Sequence, residues 1–349
     1  DAPALRKAVG LKSYSSAIAP CSLCSITKAQ LGNFDIFSWP RRTAEFHREH
    51  AQRWRDGNEK ERVKIEDETG IRWSELLRLP YWDPTKYAVI DAMHNLFLAA
   101  LSRHLTFVWG MLWKDSRSQH DAGSDTESMA GSDGAGPSKK GKKAIHSPDQ
   151  QTAALEKVVK HLENGHLSSL KNCRHDYLTA IAFASHILNN VELAWIWVIA
   201  GRIHLPTWVD RGPKQFGKAG VGHIKADQWR TIATILLPLV LIPQWSAGGA
   251  RYDESRAAVL KNFLDLIAAV NLISSKSVSA RRIERMAQHL KKYCEGLRLL
   301  FPNYRIPPSL HQSFHLPELL YLFGPVTSFW GFPFERFNGI MHNFNHNGR

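Results

Sequence analysis

Two pairs of metal-ligand residues near opposite ends of the chain constrain the fold more than anything else in the sequence. Cys21-Ser22-Leu23-Cys24 sets two thiols at the bite of one ion. Pro307-Pro308-Ser309-Leu310-His311-Gln312-Ser313-Phe314-His315 sets two imidazoles four residues apart, and on a helix they would share a face. Each pair has an acid twenty residues away on its outer side, Asp1 before the cysteines and Glu335 after the histidines. Two sulfur and two nitrogen ligands make a closed tetrahedral zinc site of the structural kind. The alternative is two unrelated accidents, a buried cysteine pair and a helix with two surface histidines. The symmetric placement about two acids favours zinc. One ion taking all four ligands would require the intervening chain to bring its ends together, so that four ligand atoms converge on one point.

At 349 residues the chain is long enough for one large domain or two ordinary ones. Four cysteines are too few and too scattered for a secreted disulfide framework, and Cys-x₂-Cys inside a cell reads as metal or redox. No signal peptide is visible, although a chain that begins at Asp1 without a Met could have lost one. No apolar run is long enough to span a bilayer, and the richest, residues 232–242, has the length of a core helix. A net charge of +13 and a pI near 9.6 point to an anionic partner, most often nucleic acid. The bland reading is a basic protein with no such partner.

The periodicity is mostly helical. A short helix is expected over residues 2–9 and an extended piece over 14–19. A helix of mixed charge should open at Trp39-Pro40-Arg41-Arg42-Thr43 and run to about Lys60, with His47, Arg48, His50, Arg53 and Arg55 on a solvated face. Tyr87-Ala88-Val89-Ile90 is a compact apolar run that reads as a buried strand, followed by an apolar helix ending near Trp113. Residues 115–150 are rich in Ser, Gly, Asp and Lys with no aromatic residue, and are expected to be disordered. Within them Lys139-Lys140-Gly141-Lys142-Lys143 could serve as a nuclear localisation signal. Further helices are expected over residues 152–164, 177–203, 226–241, 255–274 and 279–300. Pro206, Gly212-Pro213, Gly217, Gly220 and Gly222 mark a loop between the second and third of these.

Three other places carry candidate chemistry. Asp91 and His94 could be an acid–base pair or metal ligands, but their spacing favours Asp91 as the N-cap of the helix that carries His94. Glu335 follows Pro333 and would sit in a first helical turn, where the dipole favours an acid. Its functional reading is a metal-binding carboxylate shielded by Phe332, Phe334 and Phe337. Trp229, Trp330 and Phe329 could stack on unpaired bases, with Arg230 and Arg336 completing a DNA-binding set; such aromatics are more often core.

Together these residues resemble a family. Asp1-Ala2-Pro3-Ala4, Gly70-Ile71-Arg72-Trp73-Ser74-Glu75-Leu76, Ile90-Asp91-Ala92-Met93-His94-Asn95-Leu96, Lys225-Ala226-Asp227-Gln228-Trp229-Arg230, Phe323-Gly324-Pro325 and Phe334-Glu335-Arg336-Phe337-Asn338-Gly339 look like CACTA-type (En/Spm-like) DDE transposases. The resemblance implies an α/β fold, the remnant of an RNase H-like catalytic domain with a large helical insertion, predominantly α in this stretch. It implies a partial core over residues 1–114 with the Cys pair and a linker over 115–150. The insertion would occupy 151–308, and 309–349 would be a C-terminal core segment with the His pair and Glu335. Asp1 matches the family's second catalytic aspartate and Glu335 its glutamate. Cys21 with Cys24 and Asp91 with His94 match Cys-x₂-Cys and Asp-x₂-His signatures of related superfamilies. The catalytic subunit of the V(D)J recombinase is similar in its Cys pair after the second acid and His pair before the third.

What the resemblance implies functionally is two-metal cleavage and strand transfer of transposon DNA, with structural Zn²⁺ and catalytic Mg²⁺ or Mn²⁺. The partners would be transposon ends and target DNA, a homo-oligomer is compatible with it, no membrane is involved, and the location is nuclear. The family's first aspartate belongs upstream of Asp1 and the family continues beyond Arg349. A fragment, inactive alone, is therefore the expectation. The alternative is a non-catalytic, zinc-stabilised DNA-binding or assembly protein of transposon origin. A hydrolase using Asp91 and His94 is a third, thinner option.

Overall fold

The computed structural model describes residues 2–111, 187–188, 190–218 and 221–342. Asp1, the 115–150 segment with its Lys139–Lys143 cluster and the helix expected over 152–164 lie outside the described residues. The described chain is predominantly helical. Among these residues no strand forms, and β pairing is limited to the isolated antiparallel bridges Leu11–Ile71 and Cys24–Arg41.

Two compact units emerge, and neither is continuous in sequence. The first comprises residues 1–104, 196–214 and 223–349; the second comprises 105–195 and 215–222. The boundaries expected at 114/115 and 308/309 differ from this division. The helices of 226–300 fold in the same unit as both the Cys and the His pair.

In the first unit, α1 (Ala2–Ala8), α2 (Ala44–Asp56) and α3 (Glu59–Thr69) surround a small core of Val9, Leu11, Ala51, Ile71, Leu77 and Ala88. The single helix expected through Lys60 is broken. Gly57 caps the end of α2, and Asn58 opens α3 by a reciprocal cap with Glu61. Nor is the basic face of α2 wholly solvated. His47 is fully buried. Burial, then Arg42 and Arg48, push its pKa down to about 3, so it is a neutral core side chain. Arg48 donates to the carbonyls of Leu77, Leu79 and Trp82, bracing a loop whose own backbone bonds are short-range, such as Leu79 N to Leu76 O and Trp82 N to Leu79 O.

Tyr87-Ala88-Val89-Ile90 is not a strand. With no neighbouring strand to pair with, it follows a turn in which Asp83 accepts from the Thr85 backbone and hydroxyl. Ala88 and Ile90 then enter the core as irregular chain. The apolar helix after it runs without a break over residues 92–108, mostly with wide, π-type winding; its two wide segments, α4 (Met93–Leu101) and α5 (His104–Val108), are joined through helical Ser102 and Arg103.

Beyond α6 (Asn190–Arg202) and its loop, α7 (Ala226–Thr231) continues through a wide turn into α8 (Leu237–Trp245). The long pair α9 (Glu254–Ile273) and α10 (Ala280–Leu300) follows, each opened by a side-chain cap, Asp253 and Ser279. α10 buries Ile283, Met286, Leu290, Tyr293, Cys294 and Leu297 and packs on α9. Each such side chain is worth about 1.5–3 kcal/mol when fully buried. α11 (Pro308–Ser313), α12 (Leu316–Phe323) and α13 (Phe332–His342) complete the unit. In the second unit, Trp109, Met111, Leu188, Leu193 and Phe216 are buried. Gly217, at φ +83, meets Met111 so closely that a Cβ would lie 2.5 Å from its Cγ.

Candidate metal centre

The cysteine arm of the site is a tight knuckle. Leu23 N donates to Cys21 Sγ at 3.4 Å, Cys24 forms a bridge with Arg41, and Ser25 N donates to Pro40 O at 2.9 Å. Arg6 fixes the approach. Its guanidinium, 2 % exposed, donates to the carbonyls of Lys12 (2.6 Å), Pro20 (3.2 Å) and Ala19 (2.6 Å), the last two directly before Cys21.

The histidine arm is not one continuous helix. Pro307-Pro308 open α11, which carries His311 and ends at Ser313; His315 sits in the junction, where Pro317 starts α12 instead of merely following the pair. His315 N donates to Gln312 O at 3.0 Å, and this tight junction keeps the two rings 5.3 Å apart. Trp39 covers both, its ring 4.2 Å from that of His311 and 5.3 Å from that of His315.

The two arms meet. One ligand atom from each of Cys21, Cys24, His311 and His315 lies within 4.8 Å of the others, and all four residues are buried. Cys24 Sγ stands 3.2 Å from His311 Nε2. His315 Nε2 is buried without a hydrogen-bond partner among the described residues, while its Nδ1 faces Glu318 Oε2 at 3.7 Å. A carboxylate behind an imidazole whose other nitrogen is unsatisfied is the usual outer support of a metal-bound histidine. Glu318 is itself paired with Arg41, the residue bridged to Cys24, so the outer contacts run back to the cysteine arm. The donor set, the burial and the orphaned nitrogen fit a metal such as zinc.

Without metal the charges arrange themselves inside the cluster. Burial would raise the Cys21 thiol, but the Cys24 hydrogen bond and the charge of His315 outweigh it and hold the thiol well below its ordinary range. Cys24 is driven the other way, by its hydrogen bond to Cys21 and by burial. Burial would lower His315, yet the Cys21 thiolate, followed by Glu318, raises its pKa to about 9. Arg42 is buried nearby; burial lowers its pKa, and the Cys21 and Cys24 charges oppose that. Metal must therefore expel the protons of Cys24 and His315. Affinity for Zn²⁺ is expected to rise with pH around neutrality, with log K gaining about two per pH unit as those two protons leave. A chelator competition at several pH values measures this; a flat profile counts against the assignment.

A second cluster lies where α4 meets α13. Asp91 Oδ1 accepts from Met93 N (3.0 Å) and from Gly331 N (2.8 Å), and His94 Nδ1 donates to Asp91 Oδ2. His94 Nε2 then faces Glu335 Oε1 at 3.7 Å. Asp91 thus accepts from backbone amides at the start of α4, as a capping residue would, and also orients His94. Burial raises the Asp91 pKa, but His94 and the Gly331 amide more than offset it and hold it below its usual value. Gly331, which no motif singles out, is required by close approach: a Cβ there would lie 2.6 Å from Asp91 Oδ2.

The expected shield around Glu335 does not form. Phe334 and Phe337 are 72 % and 61 % exposed, and only Phe332 turns inward, toward Phe97 and Trp330. Asn95 ties the second cluster to the first: its Nδ2 donates to Ser309 O at 2.8 Å and its Oδ1 accepts from Ser313 Oγ at 2.6 Å, both on α11.

Of the aromatic and basic DNA-binding candidates, Trp229 is 4 % exposed and belongs to the core, so its ring is not available for base stacking. Arg230 pairs with Asp227 at 2.9 Å and lies over the Phe97 ring. Trp330 is half-buried and Arg336 exposed. Among the described residues, no helix is long and apolar enough to cross a membrane. No family model, curated protein or solved structure matches the chain.

Proposed function

We propose that the chain is a zinc-stapled part of a DDE-type protein of mobile-element origin, acting on DNA in the nucleus. In this reading its helical body is the insertion and flank of an RNase H-like catalytic domain. The observation that supports it most is the meeting of motifs. Glu335 comes to rest beside His94 of the Asp-x₂-His motif, in a unit whose Cys and His pairs converge on one point. Zn²⁺ at Cys21, Cys24, His311 and His315 is structural, a closed set with no open position. Asp1 and Glu335 are the carboxylates that would hold Mg²⁺ or Mn²⁺, which supplies electrostatic stabilisation of phosphoryl transfer when bound. The Asp91–His94 pair is auxiliary, with His94 set to receive or give a proton at Nε2.

A second reading, a non-catalytic DNA-binding or assembly protein, draws on a different observation. The Asp91 carboxylate is already engaged by two amides and His94, and Glu335 is 56 % exposed. Incubation with supercoiled DNA and Mn²⁺ separates the two. On the catalytic reading, nicking falls by at least about 100-fold in Glu335→Gln, the scale of losing one transition-state charge contact. Salt-sensitive binding with no nicking in either protein, and a Mn²⁺ affinity that Glu335→Gln leaves unchanged, support the second reading instead.

A further inference from the structure

α10 carries a basic ridge that no sequence motif announced. Arg281, Arg285 and Lys292 are exposed and lie along one line of the helix, at spacings of four and seven residues. None of the three makes an ion pair with another described residue, whereas Lys291 is paired with Glu295 at 3.9 Å and Arg282 is tied to Ser275 and Ser277. The acids of this face, Glu284 and Glu295, stand on the flank of the ridge with Lys291. Helix stability does not explain the arrangement. The first turn contains no acid and holds Arg281 and Arg282, at the end where the helix dipole disfavours cations.

We infer that this ridge is a docking surface for the phosphate backbone of duplex DNA. Three unpaired cations spread over about 16 Å of helix, a length that spans about five phosphates of one strand. An anionic membrane fits less well. A basic helix binds a bilayer by inserting its apolar face, and that face of α10 is committed to the core through Ile283, Met286, Leu290 and Leu297. The inference rests on the reading of the chain as a DNA-acting protein and adds where the backbone is held, on residues other than Trp330 and Arg336.

The test is duplex binding by fluorescence anisotropy across a salt series, for the whole chain and for the triple variant Arg281→Gln, Arg285→Gln, Lys292→Gln. Glutamine keeps helix propensity, and zinc content with thermal melting checks the fold. Losing three phosphate contacts makes the slope of log K against log salt shallower by about 2.7. The affinity drop between about 50 and 200 mM salt then shrinks about 40-fold. A control removes the same charge from exposed Lys60, Lys64 and Lys214 and should leave most of the slope in place. A folded triple variant with the original slope overturns the ridge while leaving DNA binding intact. Equal losses in triple variant and control overturn it too, because binding then follows net charge. No duplex binding by the unaltered chain, or capture by anionic vesicles alone, sinks the DNA reading and the ridge with it.

Discussion

Cys24→Ser is expected to abolish zinc retention and to remove about 5–6 kcal/mol of stability. Cys24 and His311 are 287 residues apart in sequence and 3.2 Å apart in space. An ion joining them acts on the unfolded chain as a cross-link, and closing a loop of that length is worth about 5–6 kcal/mol on the chain-entropy scale. The loss should appear as a large fall in the urea midpoint with zinc present, and as zinc content dropping from one per chain toward none by elemental analysis. Chelation should reproduce it in the unaltered protein. Cys294 provides the control: it is buried but alone, so Cys294→Ser should leave zinc content unchanged. A Cys24→Ser protein that keeps one zinc and the original midpoint would show that the four residues are not one site.

Arg6→Ala should be nearly as damaging, by about 3–5 kcal/mol, although Arg6 binds no metal. Three carbonyls accept from one buried guanidinium; removing it strips the buried Ala19 carbonyl of its charged donor, leaves Pro20 only the 3.4 Å contact from Gln312 Nε2, and frees the part-buried Lys12 carbonyl. Burial, with Arg42 adding to it and Cys21 opposing, lowers the Arg6 pKa only to about 10, so the group stays charged near neutrality. Lysine should not rescue, because a point charge on a flexible stem cannot reach three acceptors that a planar fork spans. Since two of those carbonyls belong to Ala19 and Pro20, the variant should also lose zinc faster in a chelator trap. Unfolding within about 1 kcal/mol of the original protein is the outcome that defeats this account.

The metal cluster was legible because ligand chemistry is written in spacing: two thiols three apart and two imidazoles four apart need no knowledge of what lies between. The long helices of 226–300 were legible for a similar reason, since their apolar periodicity repeats over many turns and their caps are local. Tyr87-Ala88-Val89-Ile90 misled because a short apolar run signals burial, not pairing; whether a neighbouring strand exists is a property of the rest of the fold. His47 and Arg48 misled for the opposite reason. Charged residues on a helix read as solvated, and the carbonyls that Arg48 serves lie about thirty residues away, invisible to any local pattern. Gly331 escaped notice because close approach to Asp91 leaves no trace in composition. The spacing of Asp91 ahead of the helix suggested a cap, but only folding reveals that the same carboxylate also holds Gly331 N and orients His94.

The separation of the two ligand arms also has a consequence in time. A ribosome adding about 5–20 residues per second takes roughly 15 to 60 s to travel from Cys24 to His311. For that interval the nascent chain displays a thiol pair with no histidines to complete it. An ion captured early would be held by half a coordination sphere and easily surrendered to any competing chelator. Durable loading must therefore wait until α11 and the turn to His315 have been made. A message broken anywhere between the two arms would yield a chain that never holds its metal firmly, and quality-control proteases would meet it as unfinished.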